Sequence, residues 1–160
     1  MKPGALIQAV GLNVLFYANI GRIEKMEIVV DFPGGARVDA HFGPFVVATD
    51  QPAANGGENS APSPFELFLA SLATCAGFYV LGFCRARGIA MEGIKLIQKL
   101  ELDPATKMTS KVMLEILLPA GFPQQYAAAV IRAAESCLVK KHLESPPAFE
   151  VVTSTAPVTQ

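Results

Sequence analysis

From Met26 to Val30 apolar side chains alternate through Met26, Ile28 and Val30, and the run is stopped by Phe32-Pro33-Gly34-Gly35. A period of two predicts a strand, and the Pro-Gly-Gly cluster predicts a turn. Arg37 to Phe42 and Phe45 to Thr49 repeat the pattern on either side of Gly43-Pro44, so an antiparallel meander is expected. Asp50 to Pro62 reads as a loop, with Pro52, Asn55, Gly56, Gly57, Asn59 and Ser60 as turn formers. The period then changes. Ser63 can cap a helix, Pro64 suits its first turn, and Glu66 completes the Ser-x-x-Glu capping box. That helix should run to about Arg87, with Gly88 as its stop. Gly93 to Leu102 and Met108 to Leu118 predict a hairpin turning at Asp103-Pro104-Ala105-Thr106. Tyr126, Val130, Ile131, Ala134, Cys137 and Leu138 recur at helical spacing and predict a second helix, closed by Ser145-Pro146-Pro147. Phe149 to Thr153 reads as a last strand. The order is β-β-β-α-β-β-α-β, an α+β domain with both helices packed on sheets.

With 160 residues, 51% hydrophobic and 17% charged, the chain is long and apolar enough for a self-sufficient core. Two uncharged stretches, Pro3 to Ile20 and Leu67 to Cys84, test that picture. Gln8, Asn13 and Asn19 interrupt the first and no Ala-x-Ala pattern follows, which argues against a signal peptide. The second is at the lower edge of membrane-span length and equally suits the central helix of a soluble fold, so no membrane partner is expected. Thirteen Lys plus Arg balance fourteen Asp plus Glu, without a basic run longer than Lys140-Lys141, and no nucleic-acid partner is expected. Three cysteines are too few for a disulfide scaffold; they point to free thiols in a reducing, cytoplasmic setting.

His41 and His142 lack metal-ligand spacing to the cysteines, and Cys-x-x-Cys is missing, so neither a metal nor another cofactor is expected. Gly34-Gly35 and Gly56-Gly57 sit in turn settings and carry no phosphate-binding inference. Cys75 and Cys84 lie on one helix and, at about 100° per residue, point roughly 180° apart. Cys137 occupies the core-facing stripe of the second helix, so it could reach Cys75 if the helices pack. The same pattern also fits three buried structural thiols.

The run from Ala61-Pro62-Ser63-Pro64 through Ala73-Thr74-Cys75 resembles the signature helix of the osmotically inducible protein C and organic hydroperoxide resistance (OsmC/Ohr) family. Thr49-Asp50-Gln51-Pro52 and Glu135-Ser136-Cys137-Leu138-Val139-Lys140-Lys141 extend the resemblance over about Glu24 to Val152. It implies one OsmC-like domain over residues 24–160 behind an extension of residues 1–23. The fold it implies is an intertwined homodimer with central buried helices. The activity it implies is a thiol peroxidase acting on organic hydroperoxides, with Cys75 attacking, Cys137 resolving as a disulfide, and a dithiol reductant of the lipoyl type closing the cycle. In the hydroperoxide resistance branch an arginine after Gly-Gly, held by a glutamate directly after the proline, activates the thiol. Here Phe65 follows Pro64 and the glutamate comes one later, as Glu66; the arginine near Gly34-Gly35 is Arg37. Arg37 and Glu66 are therefore candidate catalytic charges, with an exposed strand charge and a capping residue as their plainer roles. The second function in view is an OsmC-like protein that binds a hydrophobic ligand or senses redox state. Cys84 is expected to be packing.

Overall fold

The computed structural model describes residues 26–155; the uncharged run 3–20 and the extension 1–23 lie outside them. The chain divides into two compact units, one up to Ser71 and one from Leu72.

In the first unit the alternating segments form β1 (Val29–Gly34), β2 (Arg37–Phe42) and β3 (Phe45–Val47), an antiparallel sheet in the order β1-β2-β3. β1 begins later than its alternation and continues through Pro33, where a stop was expected. Its place at the sheet edge explains this: proline lacks a ladder donor, and the β1–β2 register shifts between Asp31 and Gly34 to absorb it. Gly34 (φ 129°) and Gly35 (φ 60°) then reverse the chain in a backbone region that favours glycine. β3 ends at Val47, two residues early, but Val38 N–H still donates to Thr49 O at 3.2 Å and keeps the chain beside β2.

The loop after β3 is organised by a buried charge. Asp50 is 1% exposed, and its carboxylate accepts the N–H groups of Gln51 (2.7 Å), Glu58 (3.1 Å) and Ser60 (2.9 Å) plus the Ser60 hydroxyl (2.7 Å). A buried carboxylate without donors would be costly; with four it becomes the hub of the loop. The Ser60 amide and hydroxyl are foremost in holding its pKa down to about 2, and burial opposes them. A Cβ on Gly57 would lie 1.9 Å from Gln51 O and 2.7 Å from Asp50 Oδ1, so only glycine lets the loop close on its hub. Helix α1 (Pro64–Arg85) starts at the expected capping box. Ser63 N–H and Oγ donate to Glu66 Oε2 at 2.7 and 2.9 Å, and Glu66 N–H donates back to Ser63 Oγ at 3.4 Å.

In the second unit α1 buries Leu72, Ala76, Val80, Phe83 and Cys84, a stripe at helical spacing. By length and composition α1 could cross a membrane, yet this stripe is the one a core helix buries. Gly88 (φ 64°) turns the chain at its end. β4 (Lys95–Leu102) and β5 (Thr109–Leu117) form the expected hairpin, with Leu96 opposite Ile116 and Gln98 opposite Leu114. Asp103 accepts the N–H groups of Ala105 and Thr106 in its turn.

The second helix departs from expectation. A 3₁₀ turn, Gln124–Tyr126, leads into α2 (Ala127–Glu135), and after a break α3 (Leu138–Glu144) follows. The Ser136 and Cys137 amides close back on the Ala133 and Ala134 carbonyls at 3.1 Å, and Cys137 takes an extended conformation (φ −49°, ψ 123°). The break thus falls on Cys137, which a continuous helix would have held in mid-stripe. Cys137 joins Ala76, Val80, Phe83, Cys84, Phe122, Val130 and Ala134 in the buried core, where each large apolar side chain contributes about 1.5–3 kcal/mol. The last strand is not formed. Phe149 to Thr153 is irregular, and Phe149 and Val151 are 89% and 96% exposed, because no neighbouring strand satisfies its backbone among the described residues.

The Asp50 hub gives a pH-dependent expectation. Its folded pKa of about 2 lies below the unfolded value of about 3.9, so its contribution is full above about pH 4 and is lost as pH falls through about 2. Asp50→Asn should lower the melting temperature at pH 7, and its gap to wild type should close between about pH 4 and 2 in circular-dichroism melts. A gap constant over that range would contradict the hub. Gly57→Ala should cost on the order of 3 kcal/mol in denaturant unfolding, by forcing the loop off Asp50.

Candidate functional site

Two of the expected residues meet. Cys75, in the middle of α1, is half-buried, and Cys137, at the α2–α3 break, is 2% exposed; both are free thiols. The Cys137 Sγ lies 3.9 Å from the Leu72 carbonyl oxygen, one turn before Cys75 on the same helix. Burial pushes the Cys137 thiol above its ordinary pKa; the Lys140 amide pulls it down, and the adjoining Cys75 thiol, through a hydrogen bond and like charge, pushes it up again. Cys75 packs against the buried cluster that contains Cys137, one thiol reachable from solvent and the other enclosed. An oxidised Cys75 would have a second thiol in the cluster it packs against, which is the kind of neighbour a dithiol–disulfide couple requires.

Cys84 is fully buried, and burial raises its pKa against the pull of Arg87. Its thiol packs in the core, as its helical phase relative to Cys75 suggests. An apolar groove of about 850 Å³ opens beside Cys137, walled by Leu114 and Ile116 of β5 and by Val130 and Ile131 of α2, with Lys99 and Lys140 among its polar residues.

The two candidate charges lie in the first unit and do not meet each other. Arg37 donates through Nη2 to Asp39 Oδ2 at 2.7 Å, and Asp39 Oδ1 accepts Thr49 N–H at 3.3 Å. Residues two apart on a strand share a face, so β2 itself places the carboxylate beside the guanidinium. Arg37 is 43% exposed along its side chain and Asp39 only 10%. Glu66 is engaged by the Ser63 amide and hydroxyl, which lower its pKa, and not by Arg37. The sequence reading gives Asp39 no role and Asp50 only a place in the Thr49-Asp50-Gln51-Pro52 run; the signals that point to them are an acid at i+2 from Arg37 and a lone acid heading a Gly-Ser loop.

His41 pairs with Asp31 at 3.1 Å across β1 and β2, and His142 Nδ1 bonds Leu138 O of its own helix at 2.8 Å. Among the described residues no cluster of His, Cys, Asp and Glu could hold a metal ion.

No curated protein sequence matches the chain. Several solved structures resemble it in fold. A Psychrobacter arcticus protein named for an osmotic-stress and detoxification response aligns with a TM-score of 0.61 at 23% identity, over 71% of this chain and 85% of its own. An OsmC-like protein of unknown function from Vibrio cholerae gives a TM-score of 0.56 at 16% identity, over 75% and 94%. A second Vibrio cholerae protein, named for organic hydroperoxide resistance and holding captopril in one of its active sites, gives 0.54 at 17% identity, over 75% and 85%. The family model for OsmC-like protein matches residues 57–152, more than half of the chain and a stretch that contains both α1 and the Cys137 break. On that match the chain belongs to the OsmC-like protein family.

Proposed function

We propose that the protein is a cysteine-based peroxidase that reduces organic hydroperoxides. The observation that carries this reading is the packing of a half-buried Cys75 thiol against the buried cluster that encloses the Cys137 thiol, with Cys137 Sγ 3.9 Å from Leu72 O one turn before Cys75. A family with members named for organic hydroperoxide resistance supports it.

In this scheme the Cys75 thiolate attacks the terminal peroxide oxygen. The O–O bond breaks, the alcohol leaves with a proton, and Cys75 becomes a sulfenic acid. The Cys137 sulfur then attacks the Cys75 sulfur, water departs, and a disulfide closes. A dithiol reductant returns two electrons. Assigning attack to Cys75 follows from access, since Cys137 is 2% exposed and burial disfavours its thiolate. The apolar groove suits the organic tail of such a substrate. Arg37, held by Asp39, is the proposed cation for the thiolate. Glu66 is assigned to the helix cap. Three free thiols suit a reducing cytoplasm.

A homodimer belongs to the same proposal. Phe32 (79% exposed), Val46 (61%) and Leu102 (57%) leave apolar surface on both sheets, more than an isolated chain tolerates well. A second reading, a hydrophobic-ligand-binding or redox-sensing protein with little turnover, is favoured by the same groove together with the commitment of Glu66 to its cap.

One equivalent of cumene hydroperoxide added to the reduced protein should form a Cys75–Cys137 disulfide within seconds, read by peptide mass. Cys75→Ser should consume no peroxide, and Cys137→Ser should complete one turnover and stall at a sulfenic acid that dimedone traps. Peroxide persisting for minutes with both thiols titratable would leave the binding reading in its place. Analytical ultracentrifugation should give twice the chain mass; a monomer at micromolar concentration would refute the dimer.

A further inference from the structure

The far end of α1 carries a cleft apart from the thiols. The helix closes there in a reversed turn: Ile89 N–H donates to Cys84 O at 3.0 Å and Gly88 N–H to Arg85 O at 3.2 Å, with Gly88 in the left-handed region (φ 64°). The chain leaving that turn and the connection from β5 to α2 wall a cleft of about 540 Å³, all of it within the second unit. The β5–α2 wall is a fixed one, because Pro119 and Pro123 restrict its backbone and Phe122 N–H closes on Pro119 O at 2.9 Å. The last residue of α1, Arg85, stands about 15 Å along the helix from Cys75. Phe32, Val46 and Leu102, the apolar surface assigned to the homodimer, line none of the cleft, and Leu102 is at the opposite end of the β4–β5 hairpin.

Arg87 lines this cleft and is held in place before any ligand arrives. Its guanidinium carbon lies 3.9 Å from the centroid of the Phe83 ring and 5.7 Å from that of Tyr126, and Nη1 donates to Phe83 O at 3.2 Å. No carboxylate pairs with it among the described residues. A guanidinium carries several N–H donors in a planar fork, so the bond to Phe83 leaves donors for a bidentate acceptor. Because the stack already orders the side chain, a ligand bears little of that cost. The rest of the lining selects among anions. Ile89, Pro119 and Phe122 offer apolar surface, while Glu92 and the negative C-terminal end of α1 disfavour a doubly charged group. We propose that the cleft binds a small monocarboxylate with an apolar or aromatic body, its carboxylate paired to Arg87 and its body laid against Pro119 and Tyr126. Such a ligand occupies the junction where α1 ends and the chain enters α2, and plays no part in the peroxide chemistry.

Phenylacetate is the probe, titrated into the isotope-labelled full chain and followed by amide chemical shifts. No peroxide is present, so the outcome is independent of the peroxidase reading. Saturable binding is expected, with half-saturation at about 10 mM or below and shifts centred on Gly88, Gly121 and Tyr126. Phenylacetamide, which lacks the charge, and phenyl phosphate, which carries a second one, should each bind at least about ten-fold more weakly. Arg87→Gln should weaken phenylacetate by at least about ten-fold, and Arg87→Lys, which keeps the charge but not the fork, by less than Arg87→Gln. The same spectra report whether each variant is folded; if Arg87→Gln is not, Arg87→Lys and the comparison of acid with amide decide the matter. Failure to saturate, shifts centred away from the cleft, or an unchanged affinity in a folded Arg87→Gln would overturn the proposal. Phenyl phosphate binding as tightly as phenylacetate would overturn the choice of a monocarboxylate.

Discussion

The burial of the Cys137 sulfur against α1 is the contact on which the second unit depends. To place that sulfur next to the Leu72 carbonyl and the Cys75 thiol, the chain gives up a continuous helix and closes α2 at Ser136. An uninterrupted helix would have kept a regular hydrogen-bond ladder, so the core contacts of Cys137 and Ala134 offset what the break loses. The same burial makes the thiol pair unequal. One thiol is reachable and the other is not, and that inequality assigns attack to Cys75 in the proposed cycle.

The first unit is organised by polar groups instead. Asp39 and Asp50 are buried carboxylates, and each is satisfied by donors from the segments that would otherwise be loosest: Arg37 and Thr49 for the one, the 51–60 loop for the other. A buried charge with its donors in place admits few alternative geometries, because each lost donor leaves a desolvated lone pair. This explains how a loop rich in Pro, Gly and Asn can be ordered without a hydrophobic core of its own.

The two candidate charges of the first unit are each taken by a local partner. Where the hydroperoxide resistance branch pairs an arginine with the glutamate after the proline, Arg37 here takes Asp39 from its own strand, and Glu66 turns to the Ser63 cap. The carboxylate that orients the arginine is therefore local in sequence, which a strand permits through its two-residue repeat.

Periodicity and punctuation carried most of the secondary structure. Glycines with positive φ, the Ser63–Glu66 box and the Asp103 turn are local devices, so the residues that specify them lie within a few positions of where they act. The two cysteines of interest were legible as well, through their motifs. What the sequence did not reveal is long-range: the helix break at Cys137, the unpaired state of Phe149 to Thr153, the Arg37–Asp39 pairing, and the closure of Gly57 onto Asp50. Each depends on which neighbours fill a space or supply a partner. The residues alone determined that Cys75 and Cys137 could form a couple; tertiary packing decided that Cys75 lies against the cluster that holds Cys137 and that only one of the two thiols faces solvent, because burial belongs to the surroundings and not to the residue.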